Sequence, residues 1–141
     1  MEKEKSSAGE LKEGSVKYAA PPQFPALRDP RYPVSRVADK LEPYVRAIVE
    51  KVRPEKIILF GSYAYGQPTE HSDFDLLIVR RGIRFAKESN LEIRRAIRDV
   101  DAPPAPFTFL SRTPEELEHK LSEGSPVYEE ILGKGVLLYA A

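Results

Sequence analysis

Two aspartates, Asp73 and Asp75, stand one residue apart, and ten residues separate Asp73 from an upstream Gly61-Ser62 pair. On a strand, alternation turns two such carboxylates to the same face, about 7 Å from each other. Like charges so placed repel. A hard divalent cation such as Mg²⁺, which takes oxygen ligands and commonly keeps bonds to substrate phosphates, would hold them together. Gly61-Ser62 is the complementary part. A glycine lets a phosphate approach the backbone closely, and the free N–H groups of a helix start attract anions. Asp73 and Asp75 are therefore the candidate metal ligands and catalytic carboxylates. Gly61 and Ser62 are the candidate phosphate-binding residues, and the combination describes a metal–nucleotide site.

The surrounding sequence sets these groups on regular elements. The apolar run Ile57–Phe60 precedes Gly61-Ser62, and the run Leu76–Val79 follows Asp75. Strand, tight turn, a helical turn at Ser62–Tyr65 closed by a left-handed Gly66, loop, strand is the order these runs predict. Upstream, apolar residues at three-four spacing predict a helix over Val34–Arg53, with Pro43 marking a kink or its first turn. Downstream, a helix is expected over Ile83–Val100 and a third strand over Phe107–Leu110. Thr113-Pro114-Glu115-Glu116 reads as a capping box with proline at the first helical position, opening a helix to about Ser122. Ser125-Pro126 starts another, ending near Leu132 with Gly133 as terminator, and Gly135–Tyr139 is a last short strand. The fold class is α+β or α/β, a small sheet flanked by helices.

Composition narrows the classes. One domain is expected from 141 residues. Acidic and basic residues balance at 22 each, so no global field points to nucleic acid or membrane. No cysteine is present, which excludes disulfides and thiol catalysis. Without an apolar run of membrane-spanning length or a signal-peptide core, a cytoplasmic protein is expected. Residues 1–33 read as a flexible proline-rich tail: disorder to about Ala20, then an extended arm through Pro21, Pro22, Pro25, Pro30 and Pro33, with Phe24, Leu27 or Tyr32 available to dock. The domain proper is then 34–141. A local cationic run (Arg80, Arg81, Arg84, Lys87, Arg94, Arg95, Arg98) is a solvated helix face, a source of phosphate contacts at Arg80, Arg81 or Arg84, or a face for an acidic partner. His71, next to the carboxylates, reads as an exposed loop histidine, with metal ligation or contact with substrate as the alternative.

The segments LFGSYAYG and SDFDLLIV, carrying Gly61, Ser62, Asp73 and Asp75, resemble the minimal nucleotidyltransferases of the DNA polymerase β-like nucleotidyltransferase superfamily. The likeness extends more loosely over residues 36–140. It implies a mixed sheet of the nucleotidyltransferase fold, with Mg²⁺ held by Asp73 and Asp75 and the β- and γ-phosphates of ATP held by Gly61 and Ser62. The implied reaction passes AMP to a hydroxyl. The family's small members imply a HEPN-type toxin as acceptor, with this chain as its antitoxin. Two alternatives are a weakened or inactive nucleotide-binding antitoxin that neutralises its partner by contact, and an aminoglycoside-type small-molecule transferase. One departure stands out: the family's third carboxylate falls on the strand that here reads Pro106-Phe107-Thr108-Phe109-Leu110, whose polar residue is Thr108. Asp101 lies upstream, beyond three prolines.

Overall fold

The run Lys56–Phe60 forms β1, whose interior residues Ile57, Ile58 and Leu59 are all buried. Such a strand needs neighbours on both edges and cover on both faces. The computed structural model, which describes residues 23–141, supplies both. In chain order the elements are α1 (Ala38–Val52), β1, α2 (Ser62–Tyr65), β2 (Phe74–Val79), α3 (Ala86–Ile97), β3 (Phe107–Arg112), α4 (Pro114–Ser122), α5 (Pro126–Lys134) and β4 (Val136–Ala140). The strands make one mixed sheet in the order β3-β2-β1-β4. β1 runs antiparallel to β2 and β4, while β2 and β3 are parallel.

Alternation along the strands divides the core. Ile57, Leu59, Phe74, Leu76, Ile78, Phe107 and Phe109 face α1 and α3, meeting Leu41, Val45 and Ile48 from the first helix and Ile93 and Ala96 from the second. Ile58, Leu77 and Val79 face the other way, onto Leu117 of α4 and Tyr128 and Ile131 of α5. Each fully buried aliphatic side chain stabilises the fold by about 1.5–3 kcal/mol. β3 is an edge strand, and α3 covers its outward carbonyls. Asn90 donates to Phe109 O at 3.2 Å and Arg94 to Phe107 O at 3.4 Å. The buried Ser111 hydroxyl donates to Asn90 Oδ1 at 2.6 Å, which fixes the amide.

Several expectations are corrected. The proline-rich arm is not extended over its described part. Pro25–Arg28 and Pro33–Val37 form 3-10 turns that each begin with proline, where the missing N–H costs nothing. Phe24, Leu27 and Val34 are buried in the larger core. Phe24 meets Tyr139 edge-on, with ring centroids 6.4 Å apart, and lies 5.4 Å from the Arg46 guanidinium. Phe24 and Leu27 thus anchor this stretch to the core, with Ala26 and Tyr32 packed against it, while the expectation for residues 1–22 lies outside the described residues. Helix α1 starts at Ala38 and carries Pro43 inside it, and left-handed Arg53 (φ 55°) ends it. Helix α3 is shorter than the predicted Ile83–Val100. Gly66 is extended, not left-handed (φ −119°); a Cβ there would stand 2.9 Å from Ser62 Cα, so close approach is what demands glycine. Helix α5 runs through Gly133 to Lys134, and Gly135 caps it by donating to Ile131 O at 2.8 Å.

Candidate active site

β1 ends at Phe60, and in the antiparallel register Phe60 lies opposite Asp75. The chain must turn away there without covering that carboxylate. Gly61 does so with φ 78° and ψ −156°, a conformation open to glycine and strained for residues bearing a Cβ. A Cβ at Gly61 would overlap Asp75 Oδ2 and stand 3.1 Å from its Cγ. The two sequence-predicted halves of the site therefore touch. Ser62 follows as the first residue of α2. Within that turn the Ala64 and Tyr65 N–H groups both donate to Gly61 O, at 3.0 and 3.1 Å, so the N–H groups of Ser62 and Tyr63 precede the turn's own bonding. Tyr63 anchors the turn: its ring stacks on Phe74 with centroids 4.5 Å apart. That contact links α2 to the residue between the two aspartates, and the sequence reading missed it. A tyrosine next to Ser62 and a phenylalanine between two aspartates were the available signal.

Asp73 immediately precedes β2 and is exposed, whereas Asp75 lies within it and is half-buried. Parallel pairing brings Thr108 of β3 opposite Asp75, and the Thr108 hydroxyl donates to Asp73 Oδ2 at 3.0 Å. Across this end of the sheet the order is thus Thr108, the aspartate pair, Gly61. Burial, and after it the negative charge of Asp73, push the Asp75 carboxyl above its ordinary value, with the Thr108 hydroxyl pulling the other way. Among the described residues no group of three His, Cys, Asp or Glu side chains is placed to hold a metal ion, so neither Asp101 nor His71 stands with Asp73 and Asp75 in such a group. The His71 side chain is 87% exposed and 3.7 Å from Glu70.

The raised Asp75 carboxyl has a measurable consequence. An acid whose folded pKa exceeds its unfolded value favours the folded state below the unfolded pKa and loses that stability as pH rises through the folded one. Asp75→Asn is therefore expected to melt higher than the parent chain at neutral pH in EDTA, with the difference vanishing as pH falls below the ordinary aspartate value of 3.8. Thermal denaturation across that pH range checks it. An unchanged melting temperature at pH 7 would contradict the cost of holding a charged Asp75 partly buried beside Asp73.

The cationic run divides in the structure. Arg80 and Arg81 follow the far end of β2, five residues and about 17 Å from Asp75, so they do not serve as phosphate contacts at the aspartates. Arg80 pairs with Glu92 at 2.9 Å and donates to Ser89 Oγ at 3.1 Å. Arg81 pairs with Glu55 and, at 3.4 Å, with Glu115. Arg84 lies 5.3 Å from the Phe85 ring centroid.

The residues fit a divalent cation with a phosphate-bearing ligand. Two repelling carboxylates share a face, one of them partly desolvated, and beside it is a cradle that a Cβ would fill. Among the described residues no helix is long and apolar enough to cross a membrane. Comparison with known proteins agrees with the geometry. Two proteins of Methanocaldococcus jannaschii match locally. One, named "Putative protein adenylyltransferase MJ0604", is 54% identical over 41 residues, which is 28% of this chain and 41% of the relative. The other, named "Putative protein adenylyltransferase MJ0128", is 38% identical over 45 residues, 32% of this chain and 46% of the relative. The chain thus spans less than half the length of either relative. Far broader is the match to the model of the nucleotidyltransferase domain, which covers residues 39–134, more than half of the chain, and takes in Gly61, Ser62, Asp73, Asp75 and Thr108 together; the chain belongs to the nucleotidyltransferase domain family.

Proposed function

We propose that this chain is an adenylyltransferase that takes AMP from Mg²⁺–ATP and places it on a hydroxyl of a partner protein, a HEPN-type toxin whose antitoxin it is. The observation that carries the proposal is the contact between Gly61 and Asp75. It brings a bare Cα, where a phosphate can approach, against a carboxylate suited to a cation. Family membership supports the reaction class, and the names of the two archaeal relatives support AMP as the group moved and protein as the acceptor.

In this reading Asp73 and Asp75 hold Mg²⁺, which when bound neutralises charge on the phosphates and on the departing pyrophosphate. Gly61 admits the β- and γ-phosphates to the backbone, and the Ser62 hydroxyl with the Ser62 and Tyr63 N–H groups donates to them. The acceptor oxygen forms a bond to the α-phosphorus while the bond from that phosphorus to pyrophosphate breaks. The Thr108 hydroxyl fixes Asp73 by its hydrogen bond. A neutral hydroxyl is a poor base, so the proton of the acceptor passes to solvent or to a carboxylate.

The Thr108–Asp73 contact favours a second reading. A hydroxyl stands where the family carries its third carboxylate, so the chain would bind nucleotide yet turn over slowly, neutralising its partner by contact. One experiment separates the two. The chain is incubated with Mg²⁺, α-labelled ATP and a co-encoded helical partner. Label on the partner, abolished by EDTA, is expected from transfer. A tight complex without label supports contact. Failure of the chain to bind ATP in a Mg²⁺-dependent manner would overturn both.

A further inference from the structure

Helix α3 turns Ser89, Ile93 and Ala96 into the core, so its opposite face is centred on Leu91, which remains 49% exposed. At three- and four-residue spacing Lys87, Arg94 and Arg95 surround Leu91 on that outer face, and Arg98, the C-cap residue just past the end of α3, extends it; all four are exposed. Arg80 and Arg81 are held by Glu92, Glu55 and Glu115. Among the described residues Lys87, Arg95 and Arg98, by contrast, have no carboxylate within ion-pair distance. In a chain whose 22 acidic and 22 basic residues cancel, this is a concentrated local field. Exposed Glu88 and Asp99 flank it.

Cations grouped around an exposed leucine complement an amphipathic acidic segment, one with carboxylates at helical spacing around an apolar residue. Protein interfaces place an apolar centre among arginines in this way. A nucleic-acid backbone offers nothing to Leu91, which an apolar side chain set among carboxylates would cover. We infer that the outer face of α3 docks an acidic helical segment of another protein, with Leu91 on its apolar residue and Lys87, Arg95 and Arg98 on its carboxylates. The face is separate from the candidate active site. Ile93 and Ala96 join the core layer of Phe74 and Phe107, whereas Asp75 alternates with Phe74 to the opposite side of the sheet. Docking on α3 therefore leaves Asp73 and Asp75 open, and the inference stands apart from the transfer reaction.

The test uses a fluorescein-labelled helical peptide of about 15 residues, a central leucine flanked by glutamates at the spacing of an α-helix. It is titrated with the full chain at low salt, beside a peptide with lysines in place of the glutamates and a labelled single-stranded RNA. The acidic peptide is expected to bind and the lysine peptide not. The exposed double variant Arg95→Glu/Arg98→Glu should weaken binding roughly tenfold, as reversal of two interface charges implies. Leu91→Ser, made separately, should weaken it without changing its salt dependence. Mg²⁺–ATP affinity should stay at the parent level in all variants. Four results would overturn the inference: peptide affinity unmoved by both changes, RNA binding tighter than the peptide, self-association of the chain through this face in sedimentation, or a parallel loss of Mg²⁺–ATP affinity.

Discussion

Gly61→Ala is expected to lower the proposed Mg²⁺–ATP affinity about 100-fold, the scale on which a misplaced catalytic group loses function. Two causes act together. The backbone at Gly61 has φ 78°, which costs a residue with a Cβ on the order of 1–3 kcal/mol. The added methyl also overlaps Asp75 Oδ2, so the carboxylate must swing out of the place where Asp73 and Thr108 hold it company. Strain alone predicts lost stability, and displacement predicts lost binding. Gly82→Ala separates them, because Gly82 has φ 77° with nothing within 4 Å of where its Cβ would go. That variant should lose stability on the same scale and bind Mg²⁺–ATP normally. Isothermal titration and urea denaturation of both proteins provide the check. Parent-like nucleotide affinity in Gly61→Ala would remove the phosphate cradle from the site.

The legible parts of the sequence were those decided locally. The capping box is an interaction among four consecutive residues, and it forms as read: Thr113 Oγ1 accepts from the Glu116 N–H at 3.0 Å, and Glu116 accepts from the Thr113 N–H at 2.8 Å. β1 is bounded by its own apolar run, and Asp73 and Asp75 share a face because strand alternation requires it. What the sequence hid depends on partners far along the chain. Phe24 and Leu27 sit in a proline-rich stretch that looks unable to fold alone, and they are buried because Tyr139 and α1 are waiting for them. Arg81 looked free for phosphate because its partners, Glu55 and Glu115, lie 26 and 34 residues away. The requirement for glycine at position 61 was legible as a turn. Its second reason, the carboxylate of Asp75, appears only when β1 and β2 are paired in register.

Thr108→Asp is expected to raise the rate of AMP transfer about 100-fold, the lower end of what a positioned acid–base group contributes. Thr108 is exposed, so the change disturbs no packing. Parallel register places the new carboxylate opposite Asp75, on the side of the pair away from Gly61. There it would add an oxygen donor to the two already present and a base that a hydroxyl cannot replace. The same placement has a cost in the absence of metal, since like charges on neighbouring strands repel. In EDTA the variant should therefore melt below the parent chain, and Mg²⁺ should raise its melting temperature more than it raises the parent's. Thr108→Val isolates the existing hydrogen bond: without a donor to Asp73 Oδ2, 3.0 Å away in the parent, the valine variant should hold Mg²⁺–ATP less well and gain no activity. Single-turnover labelling of the partner and thermal melts with and without Mg²⁺ read all three proteins. If the aspartate variant responds strongly to Mg²⁺ yet transfers no faster than the parent, a missing carboxylate is not what limits turnover, and the acceptor's approach is. If it neither melts lower in EDTA nor gains from Mg²⁺, Thr108 does not occupy the third position of the metal site.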